Sequence, residues 1–152
     1  MQRIMIIGGP GSGKSWLAGA LAARLGLPVI AVDDHVWRPD RSVRPADEID
    51  ARLRDAAGAE RWIIEGGNTR TYPDRLARAD LLVRLRPGRL LRLIRVLRRS
   101  PSSGLLLWTW RYDRQFGRKD DAIVAAAKGR IPVHDLQSKA EVMNLLNSLQ
   151  RS

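Results

Sequence analysis

Residues 8–15 of the chain read Gly8-Gly9-Pro10-Gly11-Ser12-Gly13-Lys14-Ser15. The apolar run 3–7 comes directly before them, and Leu17, Leu21 and Leu25 follow at helical spacing before Gly26. This order predicts a buried strand, a glycine-rich turn and then a helix. Because a strand that passes into a helix through so short a turn begins an α/β arrangement, this stretch decides the fold class.

The stretch 8–15, called the phosphate loop below, matches the pattern G-x-x-x-x-G-K-[ST], in which every fixed residue has a chemical task. Its glycines let backbone N–H groups turn towards phosphate oxygens, and the helix that follows presents its positive end to them. Lys14 is expected to reach the β- and γ-phosphates, and the Ser15 hydroxyl to ligate Mg²⁺. The sequence therefore predicts a site for ATP or GTP with magnesium.

Trp16 follows the phosphate loop at a position where a small hydroxyl residue often stands. Two interpretations are open. In one, the indole packs its own helix against the rest of the protein. In the other, the indole lines the nucleotide site, so that Trp16 joins the phosphate loop among the nucleotide-binding residues.

The rest of the chain alternates between predicted strands and predicted helices. The further strands are predicted over 28–32, 61–65, 80–85 and 131–136. The helices are predicted over 14–25, from 45 to about 58, over 89–99, over 105–128 with an interruption near Gly117, and after a capping box at 138–141. Residues 35–44 are expected to form a loop. This alternation predicts an α/β fold, a parallel sheet between two layers of helices, with ligands at the carboxyl ends of the strands.

Acidic residues follow two of these strands at that end of the sheet. Glu65 closes the run 62–64 and is the first choice for the acidic partner that magnesium needs. Asp33 and Asp34 follow the second strand, and either carboxylate would hold a magnesium-bound water or accept a proton from an acceptor hydroxyl. Asp33 is preferred as both a metal-site and a catalytic residue. The alternative is that an aspartate here only caps a turn.

Phosphoryl transfer also needs cations around the transferred group. Arginines recur on one face of the predicted helix 89–99 and again in the helix that follows, on either side of a break at 100–104. This spacing predicts a lid within 95–118 that closes over the phosphates. The arginines chosen as catalytic candidates are Arg95, Arg99 and Arg114.

The length and composition of the chain restrict its class. With 152 residues it can bury about two-thirds of its unfolded surface in one core, so a single domain over 1–152 is expected. The absence of cysteine excludes disulfides and thiolate metal sites and fits a cytoplasmic location. The apolar runs 1–7 and 105–110 are too short to span a membrane. His35 and His134 have no spacing partners for a metal site or a triad, so structural roles are expected.

The formal net charge of +11 arises from 27 Lys and Arg against 16 Asp and Glu, and arginine dominates the basic residues. Because a planar guanidinium matches phosphate oxygens well, this bias fits polyphosphate ligands and nucleic acid equally. A genome that favours arginine over lysine would produce the same bias without any anionic partner. The charge alone therefore selects no function.

Three blocks of the sequence resemble the small adenylate kinase-like P-loop proteins, in particular the group labelled DNA topology modulation protein. They are residues 6–15, the segment 27–39 with Asp33 and Trp37-Arg38-Pro39, and Trp62-Ile63-Ile64-Glu65-Gly66. The resemblance implies a three-layer α/β/α fold with five parallel strands in the order 2-3-1-4-5, ATP as the donor, and an arginine-bearing lid. It also implies that Arg70 is a candidate ligand for an acceptor phosphate, although the stretch 66–70 carries an extra residue relative to the group.

These observations leave three hypotheses about function. The first is an ATP- and Mg²⁺-dependent phosphotransferase that acts on a nucleotide or another small molecule. The second is a nucleotide-dependent regulatory protein or ATPase that binds nucleic acid. The net charge of +11 is the reason to consider it. The third is a protein that binds nucleotide but transfers nothing. The first is favoured, because the arginines of the predicted helix 89–99 lack interleaved aromatic side chains that would stack on bases.

Overall fold

A computed structural model of the chain describes residues 1–99 and 102–149. Its centre is a sheet in the order β2-β3-β1-β4-β5, in which every neighbouring pair of strands is parallel. The strands are β1 (Arg3–Gly8), β2 (Val29–Ala31), β3 (Trp62–Glu65), β4 (Leu81–Leu85) and β5 (Val133–Leu136). The expected five-stranded parallel sheet, with its order 2-3-1-4-5, is confirmed.

Within the described ranges, seven helices connect the strands and cover both faces of the sheet. They are α1 (Lys14–Leu25), α2 (Val32–Val36), α3 (Ala46–Gly58), α4 (Tyr72–Arg78), α5 (Arg89–Arg99), α6 (Ser103–Ala127) and α7 (Lys139–Ser148). A 3-10 turn, Thr69–Thr71, precedes α4. The three-layer α/β/α arrangement predicted from the alternating pattern is confirmed.

The central strand β1 is buried on both faces. Ile4 and Ile6 belong to the hydrophobic cluster that contains the apolar side chains of α1 and α7. Met5 and Ile7 point the other way, into the cluster that contains those of α3, α4 and α6. Successive side chains of a strand alternate between faces, so a strand with a core on each side must be apolar throughout. The strand therefore holds the phosphate loop that follows it on a rigid base.

The chain after β2 differs from the prediction of a strand over 28–32. The strand ends at Ala31, and helix α2 begins at the next residue. Val32 is buried, as a strand residue would be, but it packs against the end of β3 rather than pairing in the sheet. Asp33 lies in the first turn of α2, where a carboxylate is favourable, and its carbonyl accepts a hydrogen bond from the Trp37 N–H at 3.0 Å. This short helix replaces the start of the predicted loop.

Helix α6 is continuous, whereas the sequence predicted an interruption near Gly117. Tyr112 and Asp120 lie on either side of this glycine, and both are buried. Their packing holds the two halves in line and outweighs the cost of about 1 kcal/mol for a glycine inside a helix. Of the break predicted over 100–104, residues 100 and 101 lie outside the described residues, and α6 already begins at Ser103.

The capping box predicted for the last helix is present. The Ser138 hydroxyl accepts a hydrogen bond from the Glu141 N–H at 3.2 Å, and the Glu141 carboxylate accepts one from the Ser138 N–H at 3.1 Å. These bonds satisfy two N–H groups that a helix start otherwise leaves unpaired. Among the described residues, no helix combines the length and the apolar character that a membrane crossing requires.

Candidate functional site

The backbone of the phosphate loop requires glycine at specific positions. Gly8 and Gly11 have φ values of +145° and +68°, which residues with a side chain rarely adopt. A Cβ atom at Gly8 would lie 2.4 Å from the carbonyl oxygen of Leu85, and one at Gly11 would lie 2.5 Å from that of Arg92. The loop is thus held tightly against the end of β4 and against α5. Its last glycine directly precedes α1, so the positive end of that helix faces the loop.

Each of the two polar residues at the start of α1 makes one hydrogen bond. Lys14 Nζ donates a hydrogen bond to the carbonyl oxygen of Gly9 at 2.9 Å, so the ammonium group folds back over the loop. Ser15 Oγ donates to Glu65 Oε1 at 2.8 Å. The parallel pairing of β1 with β3 places Glu65 beside Ile6, just before the loop begins. The sheet therefore brings together the hydroxyl and the carboxylate that the sequence selected for magnesium.

Lys14 lies where several charges converge. Burial lowers the pKa of its ammonium group, and the positive charge of Arg92 lowers it further. The carboxylates of Glu65, Asp33 and Asp120 act in the opposite direction. A triphosphate placed in the loop would add negative charge beside Lys14 and so favour its charged form.

The residues at this site fit a magnesium ion. Mg²⁺ prefers oxygen ligands, keeps several waters and takes only one or two carboxylates together with phosphate oxygens. Ser15 and Glu65 supply a hydroxyl and a carboxylate oxygen within one hydrogen-bond length of each other. In the part of the chain that the structure describes, no three His, Cys, Asp or Glu side chains form a metal-binding group by themselves.

Asp33 is exposed at the carboxyl edge of the sheet, in the first turn of α2. Its charge acts on Lys14, which places its carboxylate on the side of the phosphate loop. The residue that caps α2 is Ala31, and no side chain makes a capping hydrogen bond there. The alternative interpretation of Asp33 and Asp34 as turn caps is therefore not what the structure shows.

The arginines selected from the sequence differ in position. Arg95 of α5 reaches the phosphate loop, where its Nη1 lies 3.3 Å from the carbonyl oxygen of Gly11 and 3.4 Å from that of Ser12. Arg99 and Arg114 are exposed, and neither side chain makes a hydrogen bond with a described residue. Of these three candidates, Arg95 is the one in contact with the loop.

Sequence reasoning did not select two buried arginines that line a cavity beside the phosphate loop. Arg92 is 2% exposed, donates to Asp113, and places Nη1 only 2.3 Å from where a Cβ of Gly9 would lie. Arg84 interrupts the otherwise apolar strand β4 and pairs with Asp135. An arginine inside a buried apolar run is a signal that would have identified Arg84. Arg92 had no such signal, because it belongs to a face with exposed arginines.

Two cavities adjoin the phosphate loop. One, of about 300 Å³, is lined by Gly8, Gly9, Arg92, Tyr112, Arg118 and Asp120. The other, of about 730 Å³, lies on the side of α1 and the connection from β5 to α7, and its lining includes Gly13, Trp16, Leu91, Arg95 and Ser138. The Trp16 indole is 58% exposed and forms part of that lining. The larger cavity has the size of a small-molecule site.

Several solved structures of kinases share the fold of this chain. A shikimate kinase from Acinetobacter baumannii, solved with shikimate, is 17% identical with a TM-score of 0.68, over 99% of this chain and 92% of the other. A deoxyadenosine kinase from M. mycoides with bound dCTP is 15% identical with a TM-score of 0.63, over 99% of this chain and 100% of the other. A gluconokinase from Sinorhizobium meliloti 1021 is 16% identical with a TM-score of 0.59, over 99% of this chain and 94% of the other.

No protein-family model matches the chain, and no curated protein matches it. At such low identities the likeness shows the fold and leaves the chemistry to the residues of the site. The chain therefore has the three-layer α/β/α fold of P-loop kinases, with a phosphate loop at the carboxyl end of its central strand.

Proposed function

We propose that the protein is an ATP- and Mg²⁺-dependent phosphotransferase that acts on a nucleotide or another small-molecule acceptor. The observation that carries this proposal is the hydrogen bond of 2.8 Å from Ser15 to Glu65, next to the Lys14 ammonium group. An ammonium group, a hydroxyl and a carboxylate thus lie together where the end of β3 meets the start of α1, and these are the groups that a triphosphate with magnesium would need. A glycine-rich turn that only connects a strand to a helix does not require a buried carboxylate such as that of Glu65 beside it.

The donor would bind across the phosphate loop. The loop amides and Lys14 would hold its phosphates, and the cavity beside Trp16 would take its base. The bound magnesium would neutralise charge on the β- and γ-phosphates. Asp33 would orient the acceptor and take its proton.

The lid of this enzyme would lie within 95–118, the end of α5 and the first part of α6. Arg95, at one end of this range, already contacts the phosphate loop. Arg99 and Arg114 point into solvent and would reach the phosphates only after closure. Mobile arginines of this kind stabilise charge on the transferred group.

The test is a measurement of ADP formation from ATP and Mg²⁺ with a panel of nucleoside monophosphates, nucleosides and small alcohols. At least one acceptor should raise turnover above the ATPase rate without acceptor. If none does, the kinase proposal fails. Asp33→Asn should lose the acceptor-dependent part while ATP binding stays intact, and Asp34→Asn is the neighbouring comparison. Lys14→Ala should abolish nucleotide binding.

A second candidate function is nucleotide-dependent binding of nucleic acid by a regulatory ATPase. One observation favours it: Trp110 of α6 is 53% exposed and lies under the Arg89 guanidinium, so an aromatic side chain does accompany the arginines of this surface. Binding of a single-stranded oligonucleotide that weakens with salt and changes with ATP would support this function. No binding at low salt would exclude it.

The assignment to the group labelled DNA topology modulation protein stays a proposal. Its support is the sequence of the phosphate loop and of the segments around Asp33 and Glu65.

A further inference from the structure

The end of β3 and the start of α2 form one continuous surface beside the phosphate loop. A Cβ atom at Gly66 would lie 2.8 Å from the Cβ of Val32, so the two segments touch. Asn68 Nδ2 donates to Asp50 Oδ1 at 3.0 Å, which ties the same segment to α3. We call this surface, formed by α2, residues 66–70 and the start of α3, the acceptor edge. Asp33 directly follows Val32 and so belongs to it.

Two carboxylates of α3 pair with Arg70 of the acceptor edge and with two arginines of the connection between α2 and α3. Glu48 accepts hydrogen bonds from Arg38 at 3.2 Å and from Arg44 at 3.0 Å. The single N–H of Arg70 Nε is shared between the two carboxylate oxygens of Asp50, at 2.9 and 3.1 Å. The Arg70 guanidinium lowers the pKa of the Asp50 carboxyl, which keeps the pair ionised. Arg70, the residue that resemblance suggested for an acceptor phosphate, thus already has an anionic partner from its own chain.

A fourth arginine of this region donates its hydrogen bonds to backbone carbonyl groups. Arg75 is fully buried and donates to the carbonyl oxygens of Gly66 at 3.2 Å, of Asn68 at 3.0 Å, and of Gly67. These hydrogen bonds of the guanidinium therefore fix the path of the backbone over residues 66–68. Arg75 does not present a cation to a ligand at the acceptor edge.

The exposed charges on α2 make the acceptor edge unfavourable for an anion. Asp33 and Asp34 are both exposed in the first turn of α2. A cation, Arg52, lies close enough to lower the pKa of His35, after the larger effect of burial. Two carboxylates against one guanidinium leave a net negative charge, which repels phosphate and carboxylate groups.

We propose, on the basis of the proposed function, that the acceptor is a small molecule with a hydroxyl group and without a phosphate or carboxylate group. An acceptor phosphate or carboxylate would need a guanidinium fork or a lysine to replace its hydration. The guanidinium groups of Arg38, Arg44 and Arg70 already pair with Glu48 or Asp50. A hydroxyl compound needs hydrogen bonds and a base, and Asp33 supplies the base.

The transfer balances with ATP and the acceptor alone. A bond forms between the acceptor hydroxyl oxygen and the γ-phosphorus, while the bond from the γ-phosphorus to the β,γ-bridging oxygen breaks. ADP leaves with the electron pair of that bond. The hydroxyl proton passes to the Asp33 carboxylate, and from there to water after the products leave.

The experiment compares acceptors in pairs that differ only in an anionic group: adenosine with adenosine 5′-monophosphate, cytidine with cytidine 5′-monophosphate, and glucose with glucose 6-phosphate. ADP formation is measured for the full chain with ATP and Mg²⁺. In every pair that supports turnover, the uncharged member should have the higher kcat/KM. A preference for the anionic member would overturn the proposal.

The variant Asp50→Asn releases Arg70 while preserving the size of the side chain. It should shift the kcat/KM ratio towards the anionic member of a pair by about tenfold or more, the effect of one hydrogen bond to a charged group. The matched control is Asp55→Asn, an exposed aspartate of the same helix, which should leave the ratio unchanged. The double variant Asp50→Asn with Arg70→Gln should lose the shift. An unchanged ratio in Asp50→Asn would refute the role of the pair.

A binding measurement separates this proposal from the proposed function. With the donor site saturated by ADP and Mg²⁺, adenosine 5′-monophosphate is titrated by calorimetry into the wild type and into Asp50→Asn. The wild type should bind it at least about tenfold more weakly than Asp50→Asn does. Equal binding would overturn the proposal even in an active enzyme. If no acceptor raises ADP formation, the proposed function fails, and this titration still decides whether the acceptor edge excludes anions.

Discussion

Glu65, the last residue of β3, accepts a hydrogen bond at 2.8 Å from the hydroxyl of Ser15, which lies 50 positions earlier in the chain. The two residues meet because β1 and β3 are parallel neighbours and end at the same edge of the sheet. A hydroxyl that donates its hydrogen to a carboxylate keeps its lone pairs free to ligate a cation. This arrangement supports the proposed magnesium site.

The first prediction concerns this pair. Glu65→Gln keeps a hydrogen-bond acceptor for Ser15 but removes the negative charge, so the Mg²⁺ concentration for half-maximal binding of ATP should rise by about 10–100-fold. Calorimetry of ATP binding at several Mg²⁺ concentrations measures the change. Glu60→Gln is the matched control, because Glu60 is exposed outside the strand. If Glu65→Gln and Glu60→Gln bind ATP with the same Mg²⁺ dependence, Glu65 has no part in the metal site.

The second prediction concerns Trp16, whose exposed indole lines the larger cavity. If the nucleotide base stacks on this indole, Trp16→Ala should weaken ATP binding by about tenfold, since stacking of a base on an aromatic ring contributes about 1–3 kcal/mol. Binding of tripolyphosphate, which has no base, should not change. The control for general effects is Trp108→Ala, because the Trp108 indole is also exposed but lies on α6. Equal weakening for ATP and tripolyphosphate would place the effect in the phosphate loop instead.

The positions of the glycine-rich loop and of Glu65 in the fold could be predicted because local sequence determines both. A glycine pattern between an apolar strand and a helix leaves few paths for the main chain, and an acid that ends a buried strand must lie at the carboxyl edge of a parallel sheet. The sheet order and the partner of Arg70 depend on contacts between distant segments. The order came from resemblance, and the pairing of Arg70 with Asp50 had no signal in the sequence.

Helix α5 shows why Arg92 was not selected. The apolar periodicity of a helix ordinarily marks its buried face. In α5, however, Arg92 is buried, whereas Leu90 and Ile94 are 72% and 40% exposed. Arg92 lies inside because the phosphate loop and the Asp113 carboxylate surround it with polar groups. In a helix that faces a polar site, the buried face can therefore be the polar one, and apolar periodicity does not identify it.

The third prediction concerns the segment 66–68, which Arg75 holds from beneath. Burial lowers the pKa of Arg75 to about 10, so the guanidinium stays charged at neutral pH. Arg75→Met leaves the carbonyl groups of this segment without their donors and should reduce the free energy of unfolding by about 3 kcal/mol or more. Urea denaturation measures the loss. Arg78→Met, at an exposed position of the same helix, should change it by less than about 0.5 kcal/mol. Similar losses in both variants would show that Arg75 has no special structural role.

The fourth prediction concerns the pH dependence of stability. Asp120 accepts hydrogen bonds from the Tyr72 hydroxyl at 2.9 Å and from the Tyr112 hydroxyl at 3.1 Å. Burial nevertheless raises the pKa of its carboxyl above the ordinary value of 3.8, against these bonds and the positive charges of Arg84 and Lys14. The folded state therefore binds this proton more tightly than the unfolded state does. Stability from this group is fully present below pH 3.8 and declines as the pH rises through the folded pKa.

Asp120→Asn removes this titrating group. Any loss of stability from weaker hydrogen bonds to residue 120 should be similar at every pH. The free energy of unfolding of the variant, relative to that of the wild type, should therefore increase as the pH rises from about 3 to 7. Urea denaturation at several pH values measures the difference. Asp55→Asn, on the surface of α3, serves as the control and should give a much smaller change. A relative stability of Asp120→Asn that stays constant or falls over this range would mean that burial does not raise the pKa of Asp120.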